Sequence, residues 1–535
     1  MRKGFLALVL HAHLPFVRHP EYPEFLEEDW LFEAISETYV PLWQVFEGLA
    51  RDGVPFKLTM SLTPPLCAML DDELLRERYL KYLDRAIALS EREIERTQNQ
   101  PDFNHLARLY HSRFQEIKEI YVDRLQCDLV KGFRRFQDRG FLEIITCAAT
   151  HGFLPLMEQT PEAVRAQILI ARDDYVREFG RSPRGIWIPE CAYFRGLESF
   201  LAEAEIRWFI LDAHGLMFGN PRPRYAIFAP AFTPGGPAVF ARDRESSRQV
   251  WSAREGYPGD PAYRDFYRDI GFELDLEYLR PYLPPDGHRK FTGIKYHRIT
   301  GRGVPKEVYV PGWAQGAADW HAGDFMNSRA RQIQKILDVT HIEPVVVSPF
   351  DAELFGHWWY EGPRFLDLFI RKTVYDQNVY QLTTPSAYLE RHDTLQVVNP
   401  SPSSWGHKGF WEVWLSEDNA WIYPHLHAAA RRMIECARTA EQKPAKWKDR
   451  VLQQMARELL LAQASDWAFL MKTGTAREFA TKETRDHLLR FTRLYDQLKG
   501  GTVDEAFLEN CEWRDKLFPN LDWRYYAEPV NSQTP

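Results

Sequence analysis

The chain has 535 residues, 45% hydrophobic and 27% charged, with a formal net charge of -8. That length accommodates two or three domains at roughly 100–200 residues each, and the composition excludes a disordered chain. The acidic balance argues against a nucleic-acid partner, and no stretch approaches the ~18 apolar residues of a membrane span.

The first apolar run, 5–10, has the basic start of a signal peptide. It is short, however, and leads into His11-Ala12-His13 without a small-residue cleavage site, so a buried first strand is expected. Further runs of strand length follow, each ending in polar residues. Run 56–60 leads into Ser61 and Thr63, 142–147 into Thr150 and His151, and 185–188 into Glu190. Run 208–211 leads into Asp212 and His214, and 344–347 into Ser348 and Asp351. Helical patterns separate them. The clearest is 161–179, with Thr160 as N-cap, Pro161 at the first position and Gly180 just past the end. Another, about 71–98, is dense in Glu and Arg and is expected to be largely solvated.

Buried strands alternating with helices predict a parallel α/β sheet. Polar residues gather where strands end, which in a barrel is the active-site face. An open doubly wound sheet would also bind ligand there, but no GxGxxG follows the first strand, so a barrel is favoured. Between about 212 and 263 Pro and Gly become frequent, as in Pro234-Gly235-Gly236-Pro237, which reads as an inserted loop or subdomain that could serve as a lid. After Asn399-Pro400-Ser401-Pro402 the pattern turns helical. The expected division is a catalytic domain over 1–400 and a mainly helical domain over 401–535 that contributes to the cleft. Six scattered cysteines, with no CxxC pair, fit reduced thiols in a cytoplasmic protein.

Glu190 and Asp351 are the candidate catalytic residues. Two strand-end carboxylates set among Trp, Tyr and Gly suit glycoside chemistry, one attacking a sugar carbon while the other protonates the leaving oxygen. A retaining pair would lie about 5–5.5 Å apart and an inverting pair roughly 6.5–9.5 Å. Either carboxylate alone could equally be an N-cap or an ion-pair partner. His11, His13 and His151 form a second group. They could donate to sugar hydroxyls or, with Asp351, hold zinc as in a metal-dependent polysaccharide deacetylase; neither HExxH nor a cysteine pair supports the metal. Asp466-Trp467 could reach into the cleft from the helical domain or simply end a helix. Trp405 stands at the domain junction, where clefts form, and is expected to bind substrate. Arg254 and Arg268, in the loop region, could hold hydroxyls or orient a carboxylate. The loop around 242–257 and the cluster Trp405, Trp411, Trp414 and Trp421 are candidate acceptor walls.

Five motifs in order resemble glycoside hydrolase family 57, and within it the 1,4-α-glucan branching enzymes. They are His11-Ala-His-Leu-Pro-Phe16, His151-Gly-Phe-Leu-Pro155, Trp187-Ile-Pro-Glu-Cys-Ala-Tyr193, Ser348-Pro-Phe-Asp-Ala-Glu-Leu-Phe-Gly-His357 and Ser465-Asp-Trp467. The resemblance implies an incomplete (β/α)7 barrel with an inserted segment, plus an α-helical C-terminal domain. It implies Glu190 as nucleophile and Asp351 as proton donor and general base. It implies substrate contacts from His11, His13, His151, Arg254, Arg268, Trp405, Asp466 and Trp467. The implied reaction cuts an α-1,4-glucan and passes the cut chain to a 6-hydroxyl, making an α-1,6 branch as in glycogen biosynthesis. Neither metal nor organic cofactor is implied, and a monomer or small homo-oligomer is expected. The same two carboxylates would equally serve an α-glucan hydrolase or a 4-α-glucanotransferase.

Overall fold

The computed structural model describes residues 3–252, 255–284, 287–301 and 303–527. Its strands are β1 (Gly4–Ala12), β2 (Leu58–Leu62), β3 (Leu142–Cys147), β4 (Gly185–Trp187), β5 (Trp208–Leu211), β6 (Ala231–Phe232), β7 (Ala238–Ala241), β8 (Val345–Asp351) and β9 (Tyr380–Leu382). They form one sheet in the order β6-β7-β5-β4-β3-β2-β1-β8, with β9 on β1. Every pairing is parallel except β6 with β7. The two ends of the curved sheet meet at one bridge, Arg242 against Val347, where the Asp243 N–H donates to the Val347 carbonyl at 2.8 Å. Seven parallel strands closed by a single bridge make the incomplete (β/α)7 barrel.

The strands are apolar on both faces because both are covered. In β1, Phe5, Ala7 and Val9 join Ile145, Cys147, Trp187, Trp208, Ile210, Phe240 and Val347 in one buried cluster, the barrel interior. Alternate residues Leu6, Leu8 and Leu10 belong to the large cluster shared with the surrounding helices. A period of two carried past each strand end puts His11, Asp212, Arg242 and Asp351 on the interior side of the barrel mouth.

Helix Pro161–Phe179 begins and ends as expected, with Gly180 left-handed at φ 67°. Thr160 does not cap it by side chain; its hydroxyl donates to the Met157 carbonyl instead. The stretch 212–263 is not wholly an insertion, since it contains β7, a barrel strand. The sequence hides this strand because its apolar run, Ala238–Ala241, directly follows the turn Pro234-Gly235-Gly236-Pro237 and reads as part of the loop. The longer excursion from the sheet runs between helix Arg244–Trp251 and helix Pro311–Thr340.

After β9 and helix Pro385–Arg391 the chain crosses the barrel mouth as an extended strap. Val397 bridges Phe232, Asn399 bridges Asn220 and Ser403 bridges Tyr193. The Ser401 N–H donates to the Gly215 carbonyl and the Trp405 N–H to the Glu190 carbonyl, each at 2.9 Å. Helices Ile422–Thr439, Lys446–Ala462, Ser465–Thr473, Arg477–Gly500 and Glu505–Arg514 follow. They dock beside the third strand's exit, where the Ser465 N–H donates to the His151 carbonyl at 3.1 Å. Among the described residues no helix is long and apolar enough to cross a membrane.

Candidate active site

Strand register assembles the site. His11 is the Cα partner of Ser61 on one side and of Asp351 on the other. Glu190 lies three residues past β4 with φ 60° and ψ 20°, and Cys191 follows at φ 49°. His151 has φ 58°. The left-handed region costs an L-residue roughly 1–2 kcal/mol, and such strain persists only where the surroundings impose it. Around Glu190 they do: its carbonyl accepts from Trp405, and the Cys191 and Ala192 N–H groups close a turn onto Ile188 and Pro189.

The Glu190 carboxylate accepts the Trp405 indole N–H on Oε2 at 2.6 Å. Burial pushes its pKa up to about 8; the Trp405 hydrogen bond opposes this, and the negative charges of Asp351 and Asp466 add to it. Asp351 is raised to about 6, again by burial, with Arg242 and His13 pulling down. The field of one carboxyl is felt by the other, so the two are best described as a pair with apparent pKa values near 6 and 8. Between these values the pair holds one proton.

The three histidines stack face to face beneath it. Ring centroids are 3.9 Å apart for His13–His151 and 5.2 Å for His11–His151, and His11 lies 4.6 Å from Trp187. Their nitrogens are engaged within the protein. His11 contacts Ser61 at 3.2 Å and His151 at 3.1 Å; His13 contacts Thr63 at 3.0 Å and Asp466 at 3.1 Å; His151 contacts Ser465 at 2.8 Å. Burial holds His11 and His151 well below 6.5, so both rings are neutral. The 3.9 Å approach of His151 to Glu190 is therefore no ion pair. Asp466 opens helix Ser465–Thr473, where the dipole favours negative charge. Although burial opposes its ionisation, the field and hydrogen bond of His13 keep its pKa below the ordinary value.

Glu190, Asp351, His11, His13, His151, Trp405 and Asp466 are thus brought together. Trp467 is not. Its ring is wholly buried, its N–H donates to the Leu461 carbonyl at 2.8 Å and it packs against Phe479, so it is a core residue of the helical C-terminal region. Arg268, half exposed, pairs with Glu273 on the excursion instead of facing the carboxylates. Arg254 lies outside the described residues. The alternative zinc set of His11, His13, His151 and Asp351 does not form among the described residues. The donor atoms that converge, within 4.8 Å of one another, are those of His13, His151 and Asp466.

Two groups went unnoticed in the sequence. Arg242 stacks over the Trp405 ring at 5.4 Å and reaches Ser247 at 2.9 Å and Asp212 at 3.4 Å. Its signal is position: it ends a short apolar run just as His11 and Asp351 do. Glu353, buried behind Asp351, accepts from the Tyr39 hydroxyl at 2.5 Å and the His13 N–H at 3.2 Å. Tyr39 closes a π-helical turn, Ile35–Tyr39, a feature frequent at functional sites.

The family model for glycosyl hydrolase family 57 matches residues 7–400. The chain belongs to glycosyl hydrolase family 57. A model for the C-terminal part of 1,4-alpha-glucan branching enzymes matches residues 425–526. A 1,4-alpha-glucan branching enzyme of Thermococcus kodakarensis is 34% identical over 551 residues, covering 96% of this chain and 77% of that protein. The crystal structure of the GH57-type branching enzyme from Pyrococcus horikoshii superposes with a TM-score of 0.88 at 34% identity, covering 100% of this chain and 98% of that one. The crystal structure of the alpha-amylase AmyC from Thermotoga maritima superposes with a TM-score of 0.93 at 44% identity, covering 99% and 100%.

Proposed function

We propose that this protein is a retaining 1,4-α-glucan branching enzyme. The observation that carries the chemistry is the pair of part-buried carboxyls at one barrel mouth, one of them held by an indole N–H. The Glu190 carboxylate attacks the anomeric carbon of an α-1,4-linked glucose while Asp351 gives its proton to the departing 4-oxygen. Asp351, now ionised, takes the proton of an incoming glucan 6-hydroxyl, which displaces Glu190 from the anomeric carbon. Two inversions leave the α configuration. The Trp405 N–H favours the ionised form of Glu190, working against the burial that otherwise keeps the shared proton on it. The histidine stack and Asp466 form the polar floor that orients the reacting ring.

Transfer in place of hydrolysis is supported by the branching-enzyme match over 425–526. It is also supported by an apolar rim on the segment that follows Trp405, where Phe410 and Leu415 are exposed. A glucan acceptor bound there excludes water from the glucosyl intermediate. The likeness to AmyC favours a second reading, in which water is the acceptor at the same carboxylates. Amylose incubated with the purified protein and then debranched distinguishes them. New α-1,6 linkages with few new reducing ends are expected; reducing ends without branches would make the protein a hydrolase.

A further inference from the structure

The rim segment that carries Trp405 is closed on itself. The Ser404 N–H donates to the Gly409 carbonyl at 2.9 Å, the Gly409 N–H to the Gly406 carbonyl at 2.9 Å, and the Ser404 hydroxyl to the Phe410 carbonyl. Lys408 at φ 63° and Gly409 at φ 84° are left-handed in succession and make the bend. A side chain at 409 would strike the His214 ring at 2.7 Å, so glycine lets the bend rest on that ring.

His214 is the barrel's contact with this bend. Its Nε2 lies 2.9 Å from the Gly409 carbonyl and its Nδ1 lies 3.0 Å from Oδ1 of Asp212. Both partners are acceptors, because a carbonyl has no proton to give and burial of Asp212 is outweighed by His214 and Arg242, which keep it ionised. A neutral imidazole owns one N–H and can satisfy one of them; the imidazolium owns two and satisfies both.

We propose that His214, as imidazolium, is a positioning residue that latches the rim bend 406–410 to the barrel, and that its deprotonation releases the bend and shifts the reaction from transfer toward hydrolysis. The second half rests on the branching reading above. The groups facing the ring are few. Asp212 precedes it, the Arg244 guanidinium approaches Nδ1 at 3.4 Å from the helix after β7, and Arg242 reaches Asp212; from the rim come the Gly409 carbonyl and the Phe410 ring, edge-on at 6.0 Å. The hydrogen bond His214 donates to Asp212 is the largest influence and raises the His214 pKa above 6.5, partly opposed by burial and by Arg244. A raised pKa means the latch is complete below 6.5 and is lost as pH rises through the folded value.

The test measures branches formed per bond cleaved across pH. Both outcomes pass through one intermediate and both use Glu190 and Asp351, so titration of the carboxyls cancels in the ratio. The ratio is expected to fall about 3- to 10-fold as His214 loses its proton. His214→Gln, whose N–H donors sit on a single nitrogen and do not titrate, is expected to show the low ratio at every pH. A ratio independent of pH in the unaltered protein, or a His214→Gln variant that keeps the unaltered protein's ratio and profile, would overturn the proposal. If the protein forms no branches at all, the branching reading fails and the latch is judged by histidine NMR. A His214 resonance titrating above 6.5, and falling in Asp212→Asn, supports it; a ring neutral across pH 6–8 overturns it.

Discussion

Asp351 and Glu190 reach the same cleft by different routes. Asp351 ends a seven-residue strand, seven Cα pairings in register with β1, and continues at φ -63°. Glu190 follows a three-residue strand, adopts a left-handed conformation and is held through both its carbonyl and its carboxylate by a tryptophan 215 positions away. The proposed acid is fixed by local sheet geometry, whereas the proposed nucleophile depends on the strap that the chain lays across the mouth from 397 to 405. Damage to the strap should therefore act through Glu190 and spare Asp351.

The comparison breaks most severely when either carboxyl is removed. Glu190→Gln and Asp351→Asn are each expected to lower turnover of amylose by about 10⁴-fold or more. A maltosyl fluoride donor, whose leaving group needs no proton, should restore bond cleavage in Asp351→Asn and not in Glu190→Gln. Restoration in both would remove Glu190 as nucleophile. Trp405→Phe keeps a ring and deletes the N–H on Glu190. A hydrogen bond to a charged group is worth about 1.5–3 kcal/mol, so kcat should fall about 10- to 100-fold for transfer and hydrolysis alike. A loss confined to transfer would mean that Trp405 serves only the acceptor.

The pH profile sharpens the same distinction. Below about 6 both carboxyls carry protons and the nucleophile is neutral; above about 8 both are ionised and the leaving group finds no acid. The rate should drop about 10-fold per pH unit beyond either limit. In Trp405→Phe the carboxylate at 190 loses its donor, so the limits should move upward; an unmoved profile would separate the indole from the charge of the pair. On the acid side, Tyr39→Phe leaves Glu353 with one partner fewer and should cost only about 2- to 10-fold in kcat, because the strand still carries Asp351.

The acid side was also the more legible in sequence. Val345-Val346-Val347 followed by Asp351 reads as a strand with a carboxylate at its end, and the structure bears out that barrel position. Glu190 was found the same way, but nothing local announces that its carboxyl meets Trp405. Trp467 misled because an Asp-Trp pair at a helix start looks the same whether the ring faces a cleft or the helical core. The signal of Arg242 is hidden because its strand directly follows Pro234-Gly235-Gly236-Pro237 and reads as part of that loop. The segment around His214 looked like one more strand exit, and its partner Gly409 is 195 positions away. Pairings of that kind are set by the fold and leave no periodic trace.

The most direct test of the account is the covalent state of Glu190. Asp351→Asn incubated with maltosyl fluoride and digested for mass spectrometry should yield the peptide containing Trp187-Ile-Pro-Glu190 heavier by one maltosyl group, with the α anomer as first product when turnover is allowed to proceed. A β product, or an adduct on any other residue, would contradict the assignment of Glu190 as the nucleophile of a retaining reaction.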